Sequence, residues 1–269
     1  MRAIYGPVPS WRLGRSLGID LLSGRGKTCT FDCVYCQLGG TTCLALDRQV
    51  FVETDSLRAE LEVLPLRAAD VDYVTFSGTG EPTLAANLGA AIELVRSWPP
   101  LQGVSVAVLT NAALLSRLDV RRDLARADLV VAKLDAPDEA LFQTINRPLP
   151  GVTWAGVVEG LCAFRRGFDG RLALQMMFVA ANRDRAAEMA ALARTVNPWE
   201  IQINTPLRPS PTPPLNRAEI AEIELAFRGL SVISVYQVQP SSVSPLDEAE
   251  MRRRRPAEGR REAVKKEVI

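Results

Sequence analysis

Three of the five cysteines fall at Cys29, Cys33 and Cys36, inside the stretch KTCTFDCVYCQLGG (27–40). Soft thiolates at this spacing on a short loop select iron–sulfur clusters, and three of them can hold three irons of a [4Fe–4S] cluster. The fourth iron is then open to a ligand that is not protein, as a reacting metal requires. Zinc is the competing occupant, but a structural zinc takes four closed ligands and the chain has no histidine to help. Cys43, seven residues after Cys36, is a geometrically possible fourth ligand that would close the site. Cys162, within GVVEGLCAFRR, reads as helix packing.

The absence of histidine also excludes Ser-His-Asp and Cys-His catalysis. Lysine is confined to Lys27, Lys133, Lys265 and Lys266, so a lysine inside the fold is a candidate for chemistry. The formal net charge of +1 points to no particular partner, and 47% apolar with 23% charged residues is ordinary globular composition. Charge is uneven, however: residues 251–269 hold eight Arg/Lys against three Glu. No apolar run approaches the ~18–20 residues of a membrane helix, and MRAIYGPVPSWRLGRS lacks the apolar core of a signal peptide. A cytoplasmic chain without membrane contact is expected, and the odd, clustered cysteines suit that reducing compartment.

Short apolar β-type runs alternate with longer amphipathic stretches. Strands are expected at 17–22, 71–78, 104–111, 128–135, 172–180 and 200–206. Helices are expected near 56–64, 84–98, 112–127, 154–166, 185–196 and 218–227. Continuous apolar strands fit a covered parallel sheet, and right-handed βα crossovers close such a sheet into a barrel or leave it open. Six βα units are fewer than the eight of a full TIM barrel, so the expected fold is α/β, a partial (β/α)6 TIM-like barrel. The prolines of 206–216 make a stiff connector.

Chemistry in such folds gathers on loops after the carboxyl ends of strands. The cysteine segment follows the first strand and SGTGEPT the second, with Gly78, Thr79, Gly80 and Glu81; these glycines let main chain approach a ligand, or make a tight turn into the next helix. Asn111 ends the third strand, and Lys133 and Asp135 end the fourth on one side of it. Lys133 is either a cation in the site or an ion-pair partner of Asp135 or Glu81. Gln175, Gln202, Asn204 and Arg208 are candidate substrate contacts, and the Met176–Met177 pair reads as core filling.

CTFDCVYC is similar to the C-x3-C-x2-C signature of the radical S-adenosylmethionine (radical SAM) superfamily, including the aromatic Tyr35 before the last cysteine. The resemblance implies a partial barrel of the radical SAM type, with Cys29, Cys33 and Cys36 as the catalytic metal ligands and Tyr35 as an adenine contact. It also implies that the open iron is chelated by S-adenosylmethionine, which a reduced cluster cleaves to a 5′-deoxyadenosyl radical. Gly78-Thr79-Gly80-Glu81 stands where that family has a Gly-Gly-Glu type motif for the cofactor's methionine part, with Glu81 available to its ammonium. Asn111 is available to ribose or carboxylate, Lys133 and Asp135 lie beside the cofactor, and Cys43 is a bystander. An external one-electron donor of flavodoxin or ferredoxin type is implied as partner.

Further stretches, YGPVPSWRLGRSLGIDLL, GEPTL, KLDA, INRP and NTPLRP, resemble stand-alone Fe–S oxidoreductases near the tRNA wyosine-base synthases over about residues 5–240. The additional cysteine triplet of a true wyosine synthase is lacking. The expected division is a radical SAM domain over 1–240, with an N-terminal lead-in, and a basic tail over 241–269. That tail is either an electrostatic arm for RNA or a solvated helix, and Arg12 and Arg15 either bind phosphate or pair across the barrel floor. The expected activity is hydrogen abstraction from an unassigned substrate, which is RNA, protein or a small molecule. Alternatives are modification of a tRNA base, glycyl-radical activation of a partner enzyme, and a non-catalytic Fe–S electron-transfer protein that uses Cys43.

Overall fold

A computed structural model describes residues 2–24, 26–239 and 241–254. The chain opens with an antiparallel hairpin of β1 (Ile4–Ser10) and β2 (Gly14–Ile19). It then makes a two-residue β3 (Thr28–Cys29), a two-residue β4 (Cys43–Leu44) and α1 (Thr54–Glu62). Next come β5 (Tyr73–Phe76), α2 (Leu88–Arg96), β6 (Ser105–Thr110), α3 (Leu118–Leu124) and β7 (Leu129–Lys133). Two helices, α4 (Glu139–Ile145) and α5 (Trp154–Arg166), precede β8 (Arg171–Met177), α6 (Ala186–Val196) and β9 (Glu200–Asn204). The series ends with α7 (Arg217–Ala226), β10 (Val232–Ser234) and α8 (Glu248–Arg254).

The main sheet runs β1-β2-β5-β6-β7-β8-β9-β10, parallel from β2 to β10 and antiparallel only at β1. It curls into the expected half-barrel with six βα units. Both faces of its central strands are apolar, which explains their continuous runs. Val130 and Ala132 of β7 join the outer core under the helices, as do Leu172 and Leu174 of β8. Leu129, Val131 and Ala173 point the other way, into an inner core with Ala107 and Leu13. Leu13 belongs to the β1–β2 turn, at the end opposite the β2 carboxyl terminus, so that turn plugs the barrel floor.

Several boundaries differ from expectation for local reasons. The N-terminal lead-in is a strand, with an irregular register between Tyr5 and Val8 around Gly6 and Pro7. The first parallel strand occupies Gly14–Ile19, so Asp20, Leu21 and Leu22 belong to the loop after it. The third helix begins only at Leu118, because Ala112 adopts φ 69° and the chain turns before it. Helix α4 was not anticipated; Asp138 caps it by accepting from the Leu141 amide at 2.9 Å. Arg15 pairs with Asp72 at 2.8 Å, whereas Arg12 lies over the Trp11 ring with 5.4 Å to its centroid. The basic residues from Arg255 onward lie outside the described residues.

Candidate functional site

The cysteine loop is sewn to the rim of the barrel by main chain. Thr28 forms a parallel bridge with Gly80: the Thr28 amide donates to Thr79 O at 3.2 Å, and the Glu81 amide donates to Thr28 O at 3.0 Å. On its other side β3 pairs with β4, Thr28 facing Cys43 and Cys29 facing Leu44. A Cβ on Gly80 would lie 1.8 Å from the Thr28 carbonyl oxygen, and one on Gly78 would lie 2.1 Å from Asp20 Cγ. Both glycines are therefore already demanded by the close approach of these loops.

Cys29, Cys33 and Cys36 all open onto one cavity of about 550 Å³ at the carboxyl ends of the strands. Tyr35, Gly78, Thr79, Gly80, Glu81, Asn111 and Lys133 line the same cavity, and Gln175, Asn204 and Arg208 complete its far wall. Asp135 lies behind that lining. Gln202 also stands outside it, donating to Glu200 at 2.9 Å. Met177 lines the cavity, while Met176 is packed in the outer core as expected.

The sulfurs receive side-chain amide donors. Asn111 Nδ2 lies 3.5 Å from Cys29 Sγ and donates to Thr30 Oγ1 at 2.6 Å. Asn146 Nδ2 lies 3.5 Å from Cys33 Sγ and donates to Asp135 at 2.8 Å. Burial, with Glu81 nearby, pushes the Cys29 thiol up to about 12; burial, with Asp135 nearby, pushes Cys33 up to about 11. Burial alone therefore favours the protonated thiols, and a metal held here would have to displace their protons, since the thiolate is the ligand. Among the described residues no three Cys, Asp or Glu converge as the ligands of a single ion would. Three thiols and no histidine are the donor set of a soft metal centre, and Cys43 is the remaining cysteine of the loop region. Cys43 shares the strand face of Thr28, opposite to that of Cys29, is exposed, and does not line the cavity.

Two buried networks hold this wall. Glu81 is 2% exposed. Its Oε1 accepts from Thr83 N at 3.1 Å and from the Thr83 and Thr110 hydroxyls at 2.6 Å, and its Oε2 from the Asn111 amide at 2.6 Å. Burial raises its carboxyl pKa despite those donors. The expectation that Glu81 meets a ligand's ammonium group thus finds both oxygens engaged; its acid ties the ends of β5 and β6 together. Asp135 is the second centre. It accepts from the Tyr35 hydroxyl and, at 2.9 Å, from the Met177 amide, with Lys133 Nζ 3.8 Å away. Lys133 also lies over the Tyr35 ring, 4.9 Å from its centroid. Of the pairings open to Lys133, the structure shows Asp135 and not Glu81.

Asn146, Asp20, Tyr5 and Arg254 were not singled out as site residues. Asn146 carried a signal only as part of INRP, and Asp20 as part of LGIDLL. Tyr5 and Arg254 come from opposite ends of the chain and meet only in space.

The sequence model of the radical SAM superfamily matches residues 25–193, which contain the three-cysteine loop and the Gly78-Thr79-Gly80-Glu81 turn. The chain belongs to the radical SAM superfamily. It is similar to a UPF0026 protein of Synechocystis sp., 44% identical over 216 residues, which span 78% of this chain and 77% of that protein. A UPF0026 protein of Methanocaldococcus jannaschii is 36% identical over 214 residues, covering 78% and 65% respectively. Among solved structures, Streptococcus suis SuiB bound to precursor peptide SuiA superimposes with a TM-score of 0.61 at 13% identity, over 82% of this chain and 49% of that one. The present chain thus spans about half of that solved chain, and the likeness is one of fold. As a radical SAM protein it is an S-adenosylmethionine-dependent enzyme, and the family implies an iron–sulfur cluster. Among the described residues no helix is long and apolar enough to cross a membrane.

Proposed function

We propose that Cys29, Cys33 and Cys36 hold a [4Fe–4S] cluster at three of its irons, and that S-adenosylmethionine occupies the adjoining cavity against the fourth. With these groups held there, the reduced cluster would supply one electron to the sulfonium of S-adenosylmethionine, whose carbon–sulfur bond would break to give methionine and a 5′-deoxyadenosyl radical able to take a hydrogen atom from the substrate. The observation that carries this reading is that three thiols and the 78–81 turn open onto one cavity while Cys43 turns away from it.

The chain's own residues position and shield. Main chain at Gly78, Thr79 and Gly80 offers polar groups to the methionine part of the cofactor, while Glu81 fixes that main chain from behind. Asn111 and Asn146 donate toward two of the sulfurs and hold the loop in place. Tyr35, pinned by Asp135 and Lys133, forms a fixed wall near Cys33 and Cys36 rather than a freely moving ring. Gln175, Asn204 and Arg208 face the substrate. The electron comes from an external donor of flavodoxin or ferredoxin type. Substrate stays at the level of RNA, protein or small molecule; SuiB, which shares the fold over about half of its own chain, is seen bound to a precursor peptide.

Anaerobic reconstitution with iron and sulfide, then dithionite and S-adenosylmethionine, tests the reading. The expected result is an electron paramagnetic resonance spectrum perturbed by S-adenosylmethionine, release of 5′-deoxyadenosine, and an unchanged cluster in Cys43→Ala. An unperturbed cluster that is lost in Cys43→Ala would instead establish a closed electron-transfer site.

A further inference from the structure

The two edges of the open sheet are β1 and β10, and the chain crosses from one to the other after β10. Beyond Ser234 it reaches β1 again at Leu246, whose amide donates to Gly6 O at 2.7 Å, and α8 packs on β1. The last described residue, Arg254, then turns inward. Its side chain is 3% exposed and lines the cavity, although it is the third of four consecutive arginines in a run of charge expected to face solvent.

Arg254 Nη1 donates to Asp20 Oδ2 at 2.6 Å, Nε donates to Glu250 Oε1 at 3.1 Å, and Nη2 reaches the Arg2 carbonyl. Asp20 is itself buried, its side chain 1% exposed. The oxygen that meets Arg254 also accepts from the Thr79 amide at 3.0 Å and the Thr79 hydroxyl at 2.9 Å. A second link runs beside the first. The guanidinium of Arg254 lies 4.4 Å from the Tyr5 ring centroid, and the Tyr5 hydroxyl is 2.9 Å from Ser77 Oγ. Both routes end on the loop after β5.

We propose that Arg254 is a positioning residue for S-adenosylmethionine, holding the 77–79 main chain in its ligand-binding form through Asp20 and Tyr5. This rests on the placement of the cofactor's methionine part against that loop. The physical reason is charge. A buried carboxylate with only neutral donors is poorly compensated, and the guanidinium that faces Asp20 from α8 supplies the opposite charge and keeps its oxygen aimed at Thr79. The stacked tyrosine adds a contact that a flexible ammonium reproduces less well. Cofactor binding in this enzyme thereby depends on a helix some 170 residues downstream of the loop it contacts.

The test uses the full chain and two readouts. Hydrogen exchange of the 77–81 amides is measured in cluster-free protein, and S-adenosylmethionine affinity is measured by equilibrium dialysis after reconstitution. Arg254→Met is expected to speed Thr79 exchange and weaken binding by about tenfold or more, the scale of one lost hydrogen bond to a charged group. Iron per chain is expected to stay the same. Arg254→Lys, which keeps the charge opposite Asp20, is expected to recover part of both. A cooperatively folded Arg254→Met with unchanged Thr79 exchange overturns the proposal. Should that variant not fold, Arg254→Lys decides: intermediate exchange supports the proposal and wild-type exchange overturns it. Failure of the unsubstituted enzyme to bind S-adenosylmethionine would sink the reading of the cavity, and the exchange result would still decide whether Arg254 orders the loop.

Discussion

Glu81 illustrates how a residue can sit in a cofactor-like motif and act on the protein. Its two oxygens take hydrogen bonds from Thr83, Thr110 and Asn111, joining two strand ends and, through Asn111, reaching Cys29. An amide in its place offers one acceptor oxygen and puts two donors where donors already stand. Glu81→Gln is therefore expected to lower the stability of cluster-free protein by about 1–3 kcal/mol, the usual cost of a buried group left unsatisfied. Urea unfolding of the apoprotein measures it. Unaltered apoprotein stability, with S-adenosylmethionine affinity lost, would return Glu81 to direct ligand contact.

At the scale of the element, α4 carries Asn146 at its C-terminal end, and Asn146 reaches both Cys33 and Asp135. The N-terminal end of α4 is fixed by Asp138, whose carboxyl is held below its ordinary range by the Leu141 amide and by Arg185. Asp138→Ala is expected to cost about 1 kcal/mol at pH 7, as for other lost N-caps. The sign with pH follows from the depressed folded-state value. The cap's ionised contribution is complete above the unfolded-state value of about 4 and is lost as pH falls through the lower folded value. Urea midpoints of the two proteins are thus expected to differ at neutral pH and to converge in acid; a constant gap would show that the carboxylate charge plays no part. This helix was invisible in the sequence because seven residues between two turns carry too little periodicity, and most of its value lies in the cap and in Asn146. The longer elements were legible for the opposite reason: α5 and α6 bury one continuous stripe each, and the central strands are apolar on both faces. The cysteine spacing was equally legible, because three ligands on one loop need no tertiary information. The polar centres at Asp20 and Asp135 were not, since each gathers donors from distant elements.

For the whole molecule, the β1–β2 turn closes one end of the half-barrel and the cysteine loop stands at the other. The plug is a packing device: Leu13 is 2% exposed among Ala107, Leu129, Val131 and Ala173. Leu13→Ala is expected to cost about 2–5 kcal/mol, the range for leucine truncation in a core, and a denaturant titration of the apoprotein measures it. A cost under about 1 kcal/mol would mean that the floor is loosely filled. The sequence concealed this plug because YGPVPSWRLG mixes glycine, proline and arginine with its apolar residues and follows no simple period. The stitching of the cysteine loop has a wider consequence. With Thr28 bonded to both Thr79 and Glu81, and Cys29 O accepting from the Ala45 amide at 3.1 Å, the start of the cysteine loop is tied to its neighbours by peptide hydrogen bonds, and side chains such as Asn111 and Thr42 add to them. Small metal domains commonly acquire their shape and their metal in one event. Here the loop leans on the barrel rim through Thr28, so whatever disturbs the 78–81 turn also disturbs the thiols beside it.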